Sequence, residues 1–523
     1  MGLITLASKE RTDRGHQPRP PIAWAATVSP PLQPDPISPN PVRNVTMPPA
    51  FPLFPEFRLR TASLTLSAVV LAGCVSLAPA PDTPPLPVPE VWPGHLESST
   101  EGAHAGELAW QAYFTDPLLQ RLIETALENN RDLRLAALHV QRYEARYRIQ
   151  RAAQLPTIAA SAASARQQTS GDLNGTGAEQ IGSQHSADIG ITAYELDLFG
   201  RIQSLKDQAL ETYLAQIETQ RSTQIALVSS VATAYLTLVA DQELLALSQS
   251  TLDTEQQSYQ LTQKKFELGA ASDMELAQSR TALESARVST AQYQRQVLQD
   301  RNALALLLGT GMPGELQLPS TLAEVEFAPI PVGAPSSLLQ QRPDILAAEH
   351  SLKAANANIG AARAAFFPTI SLTATAGSAS NELGNLFDGG TGTWSFIPQL
   401  NLPLFDGGKR VADLDVAEVG KKQAVATYEK SIQTAFKEVA DTLGSQAFYQ
   451  QQWEAQQALV KANQRYYELA EQRYAQGVDS YLTRLDAQRS LFSAQQALVT
   501  TRLAQLSNQI SLFKAIGGGW QAE

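Results

Sequence analysis

The sequence has little of the material from which enzyme sites are built. It contains one cysteine in 523 residues, so it cannot form an intramolecular disulfide framework. Its six histidines are scattered along the chain without the spacing of a metal site. We therefore predict that the protein is not an enzyme and that it holds neither a metal nor a cofactor.

The chain also lacks a concentrated patch of lysine and arginine. Its formal net charge is −11, and its basic residues are dispersed. Nucleic-acid-binding proteins need a basic surface to neutralise phosphates. The sequence therefore excludes a nucleic-acid partner.

Proline is absent from two long stretches that are copies of each other. The segment RYAQGVDSYLTRLDAQR, residues 473–489, resembles KFELGAASDMELAQSRT, residues 265–281, which lies 208 positions earlier. In each copy about 70 proline-free residues precede a glycine, Gly269 or Gly477, and about 40 follow it, to Gly309 or Gly517. We predict two helical hairpins with tips at Gly269 and Gly477, and a capping box formed by Ser272 and Glu275.

These helices are too long for an ordinary globular domain. A continuous helix from Gly200 to Leu268 would extend about 100 Å. A shorter helix of about 39 residues is predicted to start at Asp116-Pro117 and to stop at Pro156, and its copy stops at Pro368. Near the C-terminus a 4-3-4-3 spacing indicates coiled-coil packing of Val499, Leu503, Leu506, Ile510 and Phe513.

Short segments after the two prolines are predicted to be strands. Residues 188–197 alternate, and so do residues 369–376, whose partner is predicted at 394–403; a further strand is expected in the small-residue segment 157–166. Strands of about ten residues with one apolar and one hydroxyl-bearing face are typical of transmembrane barrels, although a soluble hairpin is the alternative for any single pair. Four aromatic residues at the helix–strand junctions favour the membrane: Phe199, Phe366, Phe367 and Phe405.

Four strands cannot close a barrel, and open sheet edges are not tolerated in lipid. Membrane-spanning strands therefore require several copies of the chain. Three copies would give a 12-strand barrel, and two would give the minimum of 8 strands.

The N-terminal region differs from the rest of the chain. Residues 16–55 are rich in proline, and a start at Met47 would leave a secretory signal of ordinary length within residues 1–73. Leu71-Ala72-Gly73-Cys74 resembles the lipobox of bacterial lipoproteins, in which the cysteine is acylated. The alternative, a transmembrane helix, is disfavoured because about 12 apolar residues cannot span a bilayer. Residues 74–105 are then a lipid-anchored, proline-rich tether.

Together, the lipobox, the duplicated half, the proline-terminated helix before a strand and the paired glycine tips resemble the TolC family of outer-membrane efflux factors, in its lipoprotein (OprM/NodT-like) branch. The resemblance divides the folded body into two repeats, residues 106–318 and 319–523. It implies a mainly α fold with transmembrane β-strands: long helical hairpins form a periplasmic α-barrel, and four strands per chain contribute to a trimeric 12-strand β-barrel. The implied function is an outer-membrane exit duct of a tripartite efflux system. Its partners would be a periplasmic adaptor and an inner-membrane pump of the resistance-nodulation-division type, and its substrates drugs or other small toxic molecules.

The resemblance also suggests a gate near the second tip. Asp486 lies nine residues beyond Gly477 and matches a position where aspartates form a constriction ring in the family, with Tyr474, Arg484 and Arg489 as candidates for contacts that hold the gate closed. The alternative for Asp486 is a solvated helix face or an ion pair with Arg484 or Arg489. Because Thr483 stands where some relatives have a second aspartate, a double acidic ring is not expected.

The hairpin tips are predicted to contact the adaptor. The residues that would form this contact surface are Leu268, Gly269, Ala270, Ala271, Ser272, Gly477, Val478, Asp479 and Ser480.

Three further functions remain open from the sequence. A non-conducting lipoprotein could use its coiled-coil arms as a periplasmic spacer, but a spacer has no use for paired amphipathic strands. An exit duct for type I secretion, or one for metal export, would have the same long helices and strands. Metal export through methionine relays is disfavoured because only Met274 and Met312 follow the predicted signal.

Overall fold

The structure is a computed structural model that describes residues 76–80, 84–89, 108–175, 177–312, 314, 317–330 and 336–519. All of them belong to one compact unit, residues 66–523. The predicted signal region, the start at Met47 and the lipidation site Cys74 lie outside the described residues.

Long helices dominate the described chain. In order, the elements are α1 (Trp110–Tyr113), α2 (Pro117–Asn129), α3 (Arg131–Ala152), β1 (Ile158–Thr169), α4 (Gly171–Asn174), β2 (Gln180–Leu196), α5 (Arg201–Glu267), α6 (Asp273–Leu308), α7 (Pro343–Ala364), β3 (Thr369–Ser380), β4 (Gly392–Asn401), α8 (Lys409–Ala475) and α9 (Tyr481–Ala515). Short 3-10 helices lie at Leu322–Glu324, Ser336–Gln341 and Leu383–Asn385.

The duplication in the sequence is also a duplication of the backbone. Helices α5 and α8 have 67 residues each and are 208 positions apart, while α3 and α7 have 22 residues each and are 212 positions apart. Matching glycines adopt left-handed φ angles where the long helices begin, turn and end: 69° and 88° at Gly200 and Gly408, 72° and 73° at Gly269 and Gly477, and 67° and 80° at Gly309 and Gly517. The two hairpins therefore have closely matching helix lengths.

The predicted 39-residue helix is wrong in one respect, because it is two helices. Asn130 has ψ 133°, outside the helical region, so it ends α2 and starts α3. Its side chain accepts hydrogen bonds from the amides of Asp132 and Leu133, at 2.9 and 3.0 Å. Asparagine is a preferred capping residue, but the proline-free segment around it carries no other sign of a break. The predicted start is confirmed, since Asp116 accepts a 2.8 Å bond from the amide of Leu118.

The four strands form one antiparallel sheet in the order β1-β2-β3-β4. Strands β1 to β3 extend beyond the predicted bounds, because the pairing continues into segments predicted to be loops: β2 begins at Gln180 and β3 ends at Ser380. Strand β4 begins and ends two residues earlier than predicted, at Gly392 and Asn401. Within the described residues, β1 and β4 each pair on one side only, so the sheet has two free edges.

A β-bulge in β2 resets which side chains face each side of the sheet. The register shifts between Ile191 and Tyr194, and Ala193 adopts φ 49° while its amide donates a 3.1 Å bond to the hydroxyl of Thr373. Because of the extra residue, Tyr194 stays on the same face as Ile191, and Glu195 falls on the opposite face. Perfect alternation, as predicted for residues 188–197, would have placed Glu195 with the apolar side chains.

The main hydrophobic core lies around the middle of α5 and the C-terminal parts of α6 and α9, against which α1, α2 and residues 317–330 pack. Tyr113 stacks on Phe513 with 4.4 Å between ring centroids, and Phe327 packs against Tyr113 at 5.4 Å. Tyr235 in α5 donates a hydrogen bond to Asp116, which links this belt to the long helix. Helix α5 has an 18-residue stretch apolar enough to cross a membrane, but 61% of that stretch is buried in the fold, which is typical of a core helix.

Candidate gate, docking tips and membrane strands

The two hairpin tips are built alike. At the first, the amide of Ala270 donates to Lys265 O at 2.7 Å, and at the second, the amide of Val478 donates to Arg473 O at 2.9 Å. These bonds require the left-handed glycine that precedes each donor. The predicted capping box of Ser272 and Glu275 is present, and Ser480 caps α9 through the amide of Thr483. The tip side chains predicted to meet an adaptor are mostly exposed, Leu268 at 84% and Val478 at 60%.

The second tip carries an ion pair that the first tip lacks. Asp479 and Arg473 meet with a distance of 2.7 Å between Oδ2 and Nε. The arginine hydrogen bond lowers the pKa of Asp479, so this pair persists at neutral pH. The counterparts of these residues in the first tip, Ala271 and Lys265, cannot form such a pair.

Arg484 lies at the centre of a buried polar network beside the second tip. Its side chain is 7% exposed, and its Nε donates to Glu471 of α8. Its Nη1 donates to Ser258 Oγ of α5 at 2.9 Å, and its guanidinium lies 5.7 Å from the centroid of Tyr481. Burial opposes the charge, but the bond to Glu471 raises the pKa of Arg484 overall. One arginine thus joins three long helices through charge-assisted contacts.

Tyr474 belongs to the same network. Its ring packs edge-on against Tyr481 at 5.7 Å, and the ammonium of Lys265 lies 4.9 Å from its centroid. Two of the residues predicted for the gate, Tyr474 and Arg484, are therefore brought together by the fold.

Asp486 and Arg489 lie apart from these contacts. Both are exposed in the single chain, and Asp486 forms no ion pair with any residue that the structure describes. The alternative of a pair with Arg484 does not hold, because Arg484 is bonded to Glu471 instead. The carboxylate of Asp486 is thus available to surfaces beyond its own chain, and its role in a gate stays a prediction.

Glu255 was not predicted from the sequence. It is 4% exposed in α5, and burial raises its pKa, partly opposed by Arg484 and Arg489. Its Oε2 is buried without a partner beside a cavity of about 80 Å³ that Gln488 and Arg489 also line. Glu471 and Ser258 were not predicted either, because all three are ordinary helix residues whose importance comes from packing between helices far apart in sequence.

The sheet has the two faces that a membrane duct needs. Between β3 and β4, one face pairs Ala374 with Phe396 and Ala376 with Trp394, while the other pairs Thr375 with Ser395 through a 2.7 Å hydroxyl bond. On β4, Trp394 is 79% exposed and Phe396 is 59% exposed. Exposed aromatics on one face and hydroxyls on the other fit lipid outside and water inside.

Comparisons with known proteins agree with this architecture. The family model described as Outer membrane efflux protein matches residues 122–310 and 334–518. The chain is 55% identical over 461 residues to the toluene efflux pump outer membrane protein TtgC of Pseudomonas putida, covering 88% of this chain and 95% of that protein. It is 41% identical to the outer membrane protein OprJ of Pseudomonas aeruginosa, covering 88% and 97%.

Among solved structures, the open state of the Neisseria gonorrhoeae MtrE outer membrane channel superposes with a TM-score of 0.76 at 37% identity, covering 85% of this chain and 98% of that one. The predicted fold class, long helical hairpins with strands contributed to a membrane barrel, is confirmed by these matches, and so is the predicted function as the outer-membrane channel of an efflux pump. The chain belongs to the outer membrane efflux protein family, the TolC-family channels that the sequence already resembled.

Proposed function

We propose that three copies of this chain form a continuous duct that carries drugs or other small toxic molecules across the outer membrane. One observation carries the proposal. The described sheet has free edges at β1 and β4, and an exposed apolar face suited to contact with lipid. Because the strand number is even, β4 of one copy runs antiparallel to β1 of the next, so three copies close a 12-strand barrel without a mismatch.

The helical part extends this duct into the periplasm. Helix α5 is about 100 Å long by its 67 residues, which is several times the thickness of a bilayer. We place an adaptor at the tips and a proton-driven resistance-nodulation-division pump beyond it, with acylation of Cys74 anchoring the chain in the outer membrane. Transport through the duct needs no catalytic step, since the pump supplies the free energy.

The conducting function has a direct test. Purified protein should run as a trimer and should give discrete conductance steps in planar bilayers. A stable trimer that never conducts would support the spacer alternative and contradict the duct. Cys74→Ser should remove the acyl chains while leaving conductance in bilayers unchanged, and labelled palmitate on that variant would contradict the anchor.

The docking tips have a separate test. Bulky side chains at Ala271 and Ser480 should abolish efflux in cells, because the contact surface is small and cannot absorb a misfit. The trimer content should stay at the wild-type level. Normal efflux by a stable Ala271→Trp, Ser480→Trp double variant would show that the adaptor binds elsewhere.

A further inference from the structure

A groove runs along the middle of α5, with α6 and α9 on its two sides. Its cavity volume is about 440 Å³, and all three helices contribute side chains to it. Volumes of this size are typical of sites for small organic molecules. Because α5 lies between α6 and α9 of the same chain, the groove is complete within one copy.

The groove and the main core lie on opposite sides of α5. Val228 and Tyr235 are fully buried in the core that α5 shares with the belt formed by α1, α2 and residues 317–330. Successive helical residues are about 100° apart, so Thr233 and Thr237, which line the groove, lie roughly 140° and 180° around the helix from Val228. In the duct put forward under Proposed function, a belt on the inside would fill the passage. The belt therefore lies outside, and the groove faces the lumen.

The floor of the groove, formed by α5, presents oxygen atoms that accept hydrogen bonds. The hydroxyls of Thr233 and Thr237 donate to Ser229 O and Thr233 O, one turn earlier, at 2.8 and 2.9 Å. Their lone pairs therefore stay available to a donor in the groove. Ser229 also lines the groove and is 6% exposed, and its Oγ has no hydrogen-bond partner among the described residues. A ligand that donates hydrogen bonds fits this floor.

Asp300 of α6 adds a negative charge beside these hydroxyls. Burial, together with a hydrogen bond to Asp300 and repulsion from it, raises the pKa of Asp241 to about 7. Below that pH, Asp241 is a neutral acid that donates to Asp300, and the pair keeps one negative charge. No lysine, arginine or histidine of the described chain forms an ion pair with Asp300. The α6 side of the groove therefore suits a cationic group.

Lys514 of α9 lines the other side of the groove. Its side chain is exposed and forms no ion pair with any residue that the structure describes. An ammonium group donates hydrogen bonds and accepts none, so the α9 side suits an anionic group. The groove thus contains two opposite charges, Asp300 and Lys514, that do not pair with each other.

A second groove of similar size has a different lining. It lies between α8 and α9 in the second repeat, its cavity volume is about 380 Å³, and no charged residue lines it. Asn508 and Tyr449, which do line it, occupy the positions of Asp300 and Asp241, 208 residues later. The amide of Asn508 is already bonded to Thr442 O, at 3.0 Å. The unpaired charges are therefore specific to the groove on α5.

We propose that the groove on α5 is a lumenal binding site for small zwitterions, whose ammonium group contacts Asp300 and the α5 hydroxyls while the carboxylate contacts Lys514. The proposal rests on the duct put forward under Proposed function and names a class of solute that binds inside it. A zwitterion makes a charge-assisted contact on each side of the groove. A simple anion or cation meets one attractive and one repulsive charge, so it binds less tightly.

Two penicillins provide matched probes, because ampicillin carries an ammonium group and a carboxylate whereas benzylpenicillin carries the carboxylate alone. Isothermal titration calorimetry of the full-length, detergent-solubilised protein at about pH 6 should show ampicillin binding about tenfold more tightly, the effect of one charge-assisted hydrogen bond. Asp300→Asn should remove this preference, whereas Lys514→Ala should weaken the binding of both probes. Gln446→Ala changes the second groove and should leave both affinities at their wild-type values.

The outcomes separate this site from the duct. Equal affinities of the two probes for the wild type, or an ampicillin preference that survives Asp300→Asn, would overturn the site in a protein that still conducts. Binding as predicted by a trimer that never conducts would overturn the duct and leave the zwitterion site in place. In a conducting trimer, ampicillin should interrupt the single-channel current of the wild type and of Gln446→Ala, and that of Lys514→Ala much less often. Binding without any interruption of the current would show that the groove does not face the lumen.

Discussion

The two repeats share a backbone but not a chemistry. Their hairpins have matching helix lengths and matching left-handed glycines, so helix length and turn geometry have been kept in both. The ion pair at the centre of the tip network, between Arg484 and Glu471, lies in the second repeat. The positions of Arg484, Asp486 and Arg489 are occupied in the first repeat by Leu276, Gln278 and Thr281. The scaffold is therefore duplicated, whereas the candidate gate is single.

The ends of the two hairpins that lie away from the tips also differ in charge. In the first repeat Asn130 donates a 2.9 Å bond to Leu307 O at the end of α6, and in the second, Arg342 donates a 2.6 Å bond to Ala515 O at the end of α9. Both donors cap a helix end at matching positions. Arg342 in addition holds Asp344 and Glu438 at 2.7 and 2.9 Å, so the charged version ties α7 to both α8 and α9.

The largest loss of stability is expected at Arg342. Its side chain is 8% exposed, and Arg342→Ala leaves two carboxylates and a helix end without their donor. We expect a loss of about 2–3 kcal/mol, below that of a fully buried network because Asp344 and Glu438 are 39% and 43% exposed, against about 1 kcal/mol for Asn130→Ala, which removes a neutral cap. Thermal denaturation of the two detergent-solubilised variants measures both losses. Equal losses would show that charge adds nothing at this site.

Arg484→Ala is expected to lower the free energy of unfolding less than Arg342→Ala does, but to change the basal conductance. Removing its contacts to Glu471 and Ser258 should lower the free energy of unfolding by about 2 kcal/mol. This is less than the loss on breaking a fully buried ion pair, because Glu471 is 43% exposed. If this network holds the closed state, Arg484→Ala should raise basal conductance at least tenfold. The control is Leu276→Ala at the matching position of the first repeat, which should stay closed. Two variants with the same low conductance would place the closing contacts elsewhere.

The smallest expected effect is the pH dependence of stability that arises from Asp241, a residue away from the tips. Burial raises the pKa of Asp241 to about 7, and a hydrogen bond and repulsion from Asp300 act in the same direction. The folded state therefore favours the neutral acid. The stability that protonated Asp241 contributes is lost as pH rises from about 4 to about 7. Asp241→Asn should denature about 2 °C above wild type at pH 8, with a smaller gap at pH 5. A gap independent of pH would mean that Asp241 does not titrate in this range.

Local patterns predicted most of the fold. Proline, glycine and capping residues act within one helical turn, so the tips, the capping box and the ends of the long helices could be placed from the sequence. The helix break at Asn130 and the bulge at Ala193 could not, because each depends on contacts with distant segments, Leu307 and Thr373. In the candidate site, Tyr474 and Arg484 could be named, but Glu471, Ser258 and Glu255 could not. Their importance arises from the register between helices, which periodicity does not fix.

We propose that the gate charge comes from the second repeat, as three Asp486 carboxylates around the axis of the duct. Carboxylates held close together favour cations. The most direct measurement is the cation-to-anion permeability ratio, with and without a trivalent cation, for wild type, Asp486→Ala and the matched control Gln278→Ala in planar bilayers. We predict that Asp486→Ala loses both cation preference and trivalent block while Gln278→Ala keeps both. Wild-type selectivity and block in the Asp486→Ala trimer would show that Asp486 is a solvated surface residue and that the gate lies elsewhere.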